Sequence, residues 1–253
     1  MHPDHPLEKR VAIARTHIVD GRPIADTSIP SFVARSWERS RDYGLRVSDH
    51  VLFAPLSRAD AQVVVEKNAG LIRCALPEME RLYDAFGGAD WSVVCVNAAG
   101  VVVQAVGGHH GTARELARAL QLGNDLSERS VGTNGPGCAL VEQRPVVIRG
   151  RQHFLDEADR FVCAAVPLFG PEGKLMGALD ISYPYAPGQI DALDLLTTAS
   201  RAVENQMFTS LDDSVIVRFH YRPDMLGTPY AALLAVASNG CIGRRPDRYR
   251  PVA

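Results

Sequence analysis

Apolar residues in this chain fall into strand-like runs and helical stripes, which follow one another in a definite order. The strand-like runs are rich in β-branched and aromatic residues and are bounded by Gly, Pro, Asn or Asp. They occupy residues 91–96, 101–106, 146–149, 161–169 and 175–182. The turn sequences at residues 97–100 and 171–173 each separate two of these runs. We therefore predict two antiparallel hairpins, with loops longer than the two-residue type.

The stretch before the first strand contains a predicted helix. Residues 1–29 show weak periodicity and several prolines, which indicates a loosely ordered lead-in. Phe32, Val33 and Trp37 then fall at helical spacing. Gly44 supplies the left-handed residue that commonly ends a helix.

A second helix is predicted to begin after Ser57, which forms a variant capping box with Asp60 in place of the usual glutamate. One polar residue, Asn68, interrupts its apolar stripe. We expect Pro77 to break or kink this helix, because proline lacks the backbone N–H that the helix needs. The apolar face continues beyond it to Phe86.

The second half of the chain contains a long predicted helix. Residues 112–122 have helical composition, and residues 123–137 are rich in turn-forming residues, which predicts a loop or a short helix. The long helix follows Pro187, and its stripe consists of Leu193, Leu196, Ser200, Val203, Met207 and Leu211. Such a stripe either packs on the chain's own sheet or forms the seam of a two-helix dimer, and the pattern leaves both open.

The order of these elements indicates the fold class. Two hairpins flank a loop-rich middle, with helices before and after them, so an α+β fold with a central antiparallel sheet and flanking helices accommodates the chain. Regular strand–helix alternation, which a doubly wound parallel sheet requires, is missing from the pattern. Residues 214–221 and 231–236 resemble the first strands of a second β-rich unit. The arginine-rich end that follows is interpreted as a solvated tail.

Composition favours a cytoplasmic globular protein. Of 253 residues, 46% are hydrophobic and 22% charged, and the net charge of −2 favours neither nucleic acid nor an anionic membrane as a partner. The five cysteines are widely spaced and follow no metal-ligand pattern, which suggests a reducing compartment. The first residues lack the apolar core of a secretory signal, and no apolar run approaches the length of a membrane span.

Few residues offer catalytic chemistry. Neither a phosphate-binding glycine loop nor a nucleophile elbow is present. Cys163 and His153 are a conceivable thiol pair, but Cys163 stands in an apolar strand, which favours an inert buried thiol. His109 and His110 are adjacent and would point apart, so a surface turn explains them better than a metal site.

The polar loop at residues 126–134 allows two interpretations. Thr133 or Asn134 could cap a short helix that begins at Gly135, because both side chains accept hydrogen bonds from free backbone amides. Alternatively, Glu128, Thr133 and Asn134 form the wall of a ligand pocket, as polar groups that orient a small molecule among apolar side chains. The residues alone do not separate these interpretations.

An ordered set of short motifs resembles the sensor region of the sigma-54-dependent, Fis-type transcriptional regulators of acetoin and glycerol catabolism. The resemblance covers residues 31–240. It is carried by Arg35-Ser36-Trp37-Glu38-Arg39-Ser40, Gly44-Leu45, Leu126-Ser127-Glu128, Gly132-Thr133-Asn134, Ala139-Leu140, Arg144-Pro145-Val146, His153-Phe154, Cys163-Ala164-Ala165-Val166-Pro167, Pro171-Glu172-Gly173 and Gly177-Ala178-Leu179-Asp180-Ile181-Ser182. Two positions differ from the family pattern, Leu126 and the Gly135-Pro136 pair.

The resemblance implies a GAF sensor domain whose sheet holds a small-molecule pocket. We expect a lead-in at residues 1–30, a GAF-like domain at 31–212 and an incomplete PAS-like segment with a basic tail at 213–253. The candidate ligand-binding residues are Trp91, Glu128, Thr133, Asn134, His153, Phe154 and Cys163. The ATPase and DNA-binding domains of the family are not in this sequence, which suggests a natural truncation, a frameshift product or a designed fragment.

The expected function is effector sensing without catalysis, metal or cofactor. Expected partners are an unidentified small-molecule effector and a second copy of the chain, joined through the helices at 31–86 and 187–211, with no direct DNA binding and no membrane contact. The alternative is a protein-interaction or dimerisation module without a ligand. A third possibility is a small redox enzyme that uses Cys163 or Cys138, because some GAF domains reduce oxidised methionine, but the paired loop cysteines for that chemistry are missing.

Overall fold

An antiparallel sheet of five strands forms the centre of the molecule. The computed structural model describes residues 6–22, 29–51, 53, 56–86, 90–107, 114–185, 192–238 and 242–244. The strands are β1 Ser92–Asn97, β2 Val102–Gly107, β3 Val146–Arg149, β4 Phe161–Phe169 and β5 Leu175–Pro184. Their order across the sheet is β2-β1-β5-β4-β3, and every neighbouring pair is antiparallel. Both predicted hairpins, β1–β2 and β4–β5, are confirmed.

Helices cover both faces of this sheet. They are α1 Pro6–Val19, α2 Ser31–Asp42, α3 Arg58–Lys67, α4 Ala69–Phe86, α5 Arg114–Ala119, α6 Glu128–Val131, α7 Gly135–Glu142 and α8 Leu193–Thr209. Short 3-10 turns lie at Gly150–Gln152, Asp156–Ala158 and Pro223–Met225. The arrangement confirms the predicted α+β fold with a central antiparallel sheet and flanking helices.

Alternation along the central strands creates two separate cores. Successive side chains of a strand point to opposite faces, and all nine residues of β4 are buried. Val162, Ala164 and Val166 belong to the core formed with α4 and α8, which we call the α8 face. Ala165 belongs to the opposite core, formed with α1, α2 and α7. We call this side the α7 face.

The stripe of α8 packs on the chain's own sheet. Leu196, Ser200 and Val203 are buried, and Leu196 and Val203 lie in the α8-face core. Of the two interpretations of this stripe, the structure therefore supports packing on the sheet. A dimer seam along these same residues is not available, because their side chains are already covered.

Two predictions about the first 86 residues are wrong. The stretch expected to be a loose lead-in contains α1, whose Val11, Ala14 and Ile18 recur at helical spacing and are buried. The predicted break at Pro77 is also wrong, because Pro77 lies inside α4 and the helices are interrupted at Asn68 instead. A kink at Pro77, the other half of that expectation, stays a prediction. The amide Nδ2 of Asn68 donates to the Val64 carbonyl at 2.8 Å, so the residue that interrupted the apolar stripe ends α3.

The C-terminal part forms a small second sheet. Its strands are β6 Ser214–Phe219, β7 Ala232–Ala237 and β8 Ile242–Arg244, in the order β6-β7-β8. One face packs on α8, where Phe208 contacts Leu233 and Ala235. The predicted strands are present, but their assignment to a PAS-like unit stays a prediction. The basic tail beyond residue 244 and the pair His109-His110 lie outside the described residues.

Candidate functional site

A buried polar cluster joins α2 to the loop around α6 and α7, and we call it the α2 lock. Its members are Ser36, Arg39, Glu128, Thr133, Cys138 and Glu142. Ser36 Oγ donates to Glu128 Oε1 at 2.6 Å and lies 2.7 Å from Thr133 Oγ1. Arg39 donates from Nε to Glu128 Oε2 at 2.5 Å and from Nη2 to Oε1 at 2.8 Å. Every residue in these contacts is about 90 positions or more from its partner in sequence, so only the fold brings them together.

Charge compensation explains how a carboxylate is tolerated inside the lock. The Glu128 side chain is 1% exposed, and a buried charge requires a partner with good geometry. The hydrogen bonds between Arg39 and Glu128 raise the pKa of Arg39, so the guanidinium stays charged. Arg39 also donates to Glu142, which pairs with Arg35. Burial acts to raise the pKa of Glu142, but its bonds to the two arginines outweigh this and lower it.

Asn134 is the N-cap of α7. Its Oδ1 accepts from the backbone N–H of Gly137 at 2.9 Å, and its Nδ2 donates to the carbonyls of Gly132 at 2.7 Å and Leu126 at 3.0 Å. The capping interpretation is therefore confirmed for Asn134. The side-chain oxygens of Glu128 and Thr133 are hydrogen-bonded within the α2 lock. Their role as ligand contacts stays a prediction.

A second polar cluster crosses the α7 face of the sheet, and we call it the polar row. Its members are Asp180, Ser182, Cys163 and His153, of which Ser182 lies opposite Cys163 in the β4–β5 register. The distances are 2.5 Å from Ser182 Oγ to Asp180 Oδ2, 3.1 Å from Ser182 Oγ to Cys163 Sγ, and 3.3 Å from Cys163 Sγ to His153 Nε2. His153 Nδ1 lies 2.9 Å from the carbonyl of Gly150.

Burial fixes the protonation states in this row. It lowers the pKa of His153 to about 4, so the ring is neutral near pH 7. Because a carbonyl can only accept, Nδ1 carries the proton toward Gly150 and Nε2 accepts from the Cys163 thiol. Burial also raises the pKa of that thiol, which argues against a thiolate nucleophile. His153 and Cys163, which the sequence suggested as a conceivable thiol pair, are thus joined by a hydrogen bond between two neutral groups.

Asp180 is the ambiguous member, because burial raises its pKa to about 7. When its carboxyl is protonated, each group can donate to the next in one direction, from Asp180 through Ser182, Cys163 and His153 to the Gly150 carbonyl. When Asp180 is ionised, Ser182 must donate to it, and Cys163 loses that donor. The row therefore has two proton arrangements of similar free energy near neutral pH.

Two buried polar atoms beside the row have no hydrogen-bond partner within the described ranges. They are Oδ1 of Asp180 and Oγ of Ser92. Ser92 lies opposite Ser182, and Val94 opposite Asp180, in the β1–β5 register, so both side chains are on the α7 face. A buried polar atom without a partner costs about 1–3 kcal/mol. A buried polar atom without a partner calls for an explanation, of which a bound water molecule or ligand is one.

The predicted site residues do not form one cluster. Glu128 and Thr133 lie in the α2 lock, and His153 and Cys163 lie in the polar row. Phe154 is buried in the α7-face core. Trp91 lies elsewhere, in the α8-face core, stacked between Phe86 at 4.4 Å and Tyr183 at 4.0 Å.

Three residues of the α7 face were missed in the sequence. They are Ser92, Asp180 and Ser182. Asp180 and Ser182 alternate with Leu179 and Ile181 in an otherwise apolar strand, and two polar residues at spacing two predict a polar strip on one sheet face. That signal was available. Ser92 had none, since a single serine at the start of a strand is ordinary.

Two further geometric findings concern metals and membranes. Across the part of the chain that the structure describes, no three or more His, Cys, Asp or Glu side chains are grouped so that they could hold a metal ion. The described helices include none whose length and apolar character would suit a bilayer crossing.

Curated relatives of this chain include transcriptional regulators. It is 25% identical over 211 residues to a signal-transduction and transcriptional-control protein of Clostridium beijerinckii, covering 83% of this chain and 33% of that protein. It is 28% identical over 178 residues to the acetoin dehydrogenase operon activator AcoR of Bacillus subtilis, covering 69% and 29%. Against the propane 2-monooxygenase operon activator MimR of Mycolicibacterium smegmatis the identity is 28% over 183 residues, covering 72% and 30%. The chain thus spans about a third of the length of these three relatives.

The fold also has a solved counterpart. The structure of the E. coli DhaR(N)–DhaL complex matches 75% of this chain and 70% of that chain with a TM-score of 0.63, at 18% identity. This agreement supports the GAF-like architecture. The sequence model of the MimR N-terminal domain matches residues 10–207, which include most of α1, all of α2 to α7, the whole central sheet and most of α8. The chain therefore belongs to the MimR N-terminal domain family of transcriptional regulators.

Proposed function

We propose that this chain is the effector-sensing domain of a transcriptional activator and that the effector binds on the α7 face of the sheet, at the polar row. The effector is a small molecule that donates a hydrogen bond to Asp180 and exchanges one with Ser92. The domain itself performs no catalysis and does not contact DNA. On the motif resemblance alone, we place the longer regulator among the sigma-54-dependent type.

One observation carries this proposal, namely the two partnerless polar atoms, Asp180 Oδ1 and Ser92 Oγ, in a buried position. Uncharged polar groups of a ligand would satisfy these atoms without bringing a charge into the core. The neighbouring members of the row, Cys163 and His153, are neutral, so the surroundings suit an uncharged molecule better than an anion. A GAF-like fold and family membership among transcriptional activators are consistent with such a role.

A thermal-shift series tests the effector site. Acetoin is the first probe, because the B. subtilis relative activates an acetoin dehydrogenase operon, with 2,3-butanediol, butyrate and n-butylamine as its neutral, anionic and cationic counterparts. At a concentration 100 times its Kd, a ligand that binds only the folded state stabilises it by about 2.7 kcal/mol. We expect stabilisation by one or both neutral probes and none by butyrate.

Matched variants localise any such effect. Asp180→Ala and Ser92→Ala remove the two partnerless atoms, and Asp194→Ala removes an exposed carboxylate on α8. The shift should vanish in the first two and persist in the third. A shift that survives both core variants would place the effector elsewhere and refute this site.

A second candidate is a protein-interaction module, in which a second copy of the chain docks on the small sheet. The supporting observation is the outward face of β6, where Val215, Val217 and Phe219 are 68%, 42% and 53% exposed. Exposed apolar patches on a soluble protein often mark an interface. The DhaR N-terminal part was solved in complex with a protein, DhaL, which makes a protein partner a reasonable alternative.

Analytical ultracentrifugation distinguishes this candidate. If the β6 face joins two copies, Phe219→Asp converts a dimer to a monomer, whereas Ile13→Asp, at an exposed position of α1, leaves the dimer intact. A wild-type chain that is monomeric at high concentration contradicts the homodimer.

A further inference from the structure

The loop that carries His153 is held by hydrogen bonds to its main chain from one buried arginine. Arg15 of α1 donates from Nη1 to the carbonyls of His153 at 2.7 Å and Arg151 at 3.3 Å. Its Nη2 donates to the carbonyl of Phe154 at 2.6 Å and to Asp156 Oδ1 at 2.7 Å. The Arg15 side chain is 5% exposed, so almost all of its donors are spent on this loop.

A second helix holds the remaining carbonyl. Trp37 of α2, which is fully buried, donates from Nε1 to the carbonyl of Gln152 at 2.8 Å. The carbonyls of residues 151 to 154 are therefore all bound by side chains from α1 and α2. The Arg15 guanidinium also lies over the Trp37 ring, 5.9 Å from its centroid, which couples the two donors.

This loop contributes one side chain, that of His153, to the polar row. His153 projects from this backbone to Cys163, 3.3 Å away, and its ring position depends on where the loop backbone lies. The loop has few main-chain bonds of its own to the sheet, and Phe154 N–H bonds instead to the Thr133 carbonyl at 3.2 Å. Arg15 and Trp37 thus hold the backbone that carries the imidazole, whose own nitrogens contact Gly150 and Cys163.

We infer that Arg15 and Trp37 are positioning residues for His153, and that α1 and α2 are thereby the elements that respond when the polar row rearranges. The second half of this inference rests on the proposed function, because it takes the row as the effector site. The first half concerns the unliganded protein alone. A displacement of His153 would pull on four carbonyls at once, and the two helices would move with the loop or release it.

The chemistry of Arg15 fits this role better than that of a surface cation. Burial lowers the pKa of Arg15, and the contact with Asp156 only partly opposes this. An arginine kept in such a place needs its planar fork, which reaches two carbonyls from one nitrogen and two acceptors from the other. A lysine has a single ammonium and cannot reproduce that geometry.

Two variants test the positioning role on the full chain without any ligand. Arg15→Lys keeps the charge and loses the fork, and Trp37→Phe keeps most of the apolar ring and loses the N–H. Arg35→Lys, at a half-exposed position of α2 that pairs with Glu142, is the matched control. The readouts are the 15N shifts of the His153 imidazole across pH and the rate at which a thiol reagent labels Cys163, followed by mass spectrometry on the peptide that contains it.

We expect both test variants to admit water to the ring, to raise the titration midpoint of His153 by about one pH unit or more, and to speed labelling of Cys163 at least about tenfold. Arg35→Lys should change neither. If Arg15→Lys and Trp37→Phe lower stability but leave the His153 tautomer, its titration and the labelling rate unchanged, the positioning role is refuted. Should Arg15→Lys fail to fold, Trp37→Phe decides by the same readouts. Because no effector is present, a negative result here is separate from a failure to find one.

Discussion

Arg39 donates two hydrogen bonds to Glu128, from Nε to Oε2 at 2.5 Å and from Nη2 to Oε1 at 2.8 Å. The two residues are 89 positions apart in the sequence. Glu128 begins α6 and Arg39 lies in α2. The pair therefore fastens α2 to the segment that leads into α7. Because the Glu128 side chain is almost completely buried and Arg39 is 24% exposed, the two partners are not equivalent.

Loss of Arg39 should destabilise the fold more than loss of Glu128. Arg39→Met leaves a buried carboxylate without its counter-ion, which costs about 3 kcal/mol or more. Glu128→Gln leaves a guanidinium that still reaches Glu142 and water, and should cost about 1–2 kcal/mol. Urea unfolding measures both free energies.

The surface pair of Arg81 and Glu78 is the control for this comparison. Arg81 is 71% exposed, and Arg81→Met should change the free energy of unfolding by less than about 1 kcal/mol. Equal losses for Arg39→Met and Arg81→Met would mean that the lock is not a buried ion pair in solution.

Asp180 should make stability fall as pH rises toward neutrality. Its pKa is raised from the ordinary 3.8 to about 7 in the folded protein, so between these values the folded state binds more protons than the unfolded state. Stability from this group is then complete below pH 3.8 and is lost as pH rises through about 7. A rise of about three pH units corresponds to roughly 4 kcal/mol at about 1.4 kcal/mol per unit.

The difference between wild type and Asp180→Asn isolates that contribution, because all other carboxylates titrate in both proteins. The amide cannot ionise, so the wild type should lose stability relative to the variant between pH 4 and pH 8. A difference curve that stays flat over this range would falsify the assignment of a raised pKa to Asp180.

Gly135 should tolerate no side chain, because α7 approaches the polar row closely at this residue. A Cβ there would lie 2.5 Å from Asp180 Oδ1 and 2.7 Å from Cys163 Cβ, both in the packed core. Gly135→Ala should cost about 1–3 kcal/mol, as overpacking does. Thermal unfolding of the purified variant is sufficient to measure it.

Gly70 is the matched control for this substitution, since it too lies in a helix but a Cβ there would meet nothing within 4 Å. Gly70→Ala should be neutral or stabilise the protein by up to about 1 kcal/mol. If the two alanine variants behave alike, α7 does not pack on the row as described.

Local sequence patterns were sufficient to predict the strands of the sheet, but not which residues lie together on each of its two faces. The predicted bounds of β3 and β4 agree with the structure at both ends, because each strand coincides with an apolar run in the sequence. The Ser57 cap is likewise local, with Asp60 N–H donating to its hydroxyl at 3.1 Å. Trp91 shows the limit, because a residue just before a strand follows no alternation and its face depends on Phe86 and Tyr183.

The candidate site could be predicted only in part, for the same reason. His153 and Cys163 are ten residues apart, and the sequence suggested them as a conceivable pair without their geometry. The contacts of Arg15 with residues 151–156 span more than 130 positions. Its helix was missed because Val11, Ala14 and Ile18 make a short stripe among charged residues. Contacts of that range depend on the whole fold.

The N-caps Ser57 and Asn134 differ in the number of backbone groups that they bind. Ser57 is exposed and accepts one backbone N–H, so Ser57→Ala should cost about 1 kcal/mol. Asn134 caps α7 in the same way but also donates to the carbonyls of Leu126 and Gly132. Asn134→Ala should therefore cost roughly 3 kcal/mol, since two further acceptors lose their donor at about 1 kcal/mol each.

Asn134→Ser separates the two roles of this side chain. A serine hydroxyl can still accept from the Gly137 N–H, but it cannot supply both donors, so its cost should fall between that of Ser57→Ala and that of Asn134→Ala. Chemical denaturation of the three variants gives the ranking. If Asn134→Ala costs no more than Ser57→Ala, the amide of Asn134 does not hold the loop, and the tie between the α2 lock and α7 must come from Glu128 and Thr133 instead.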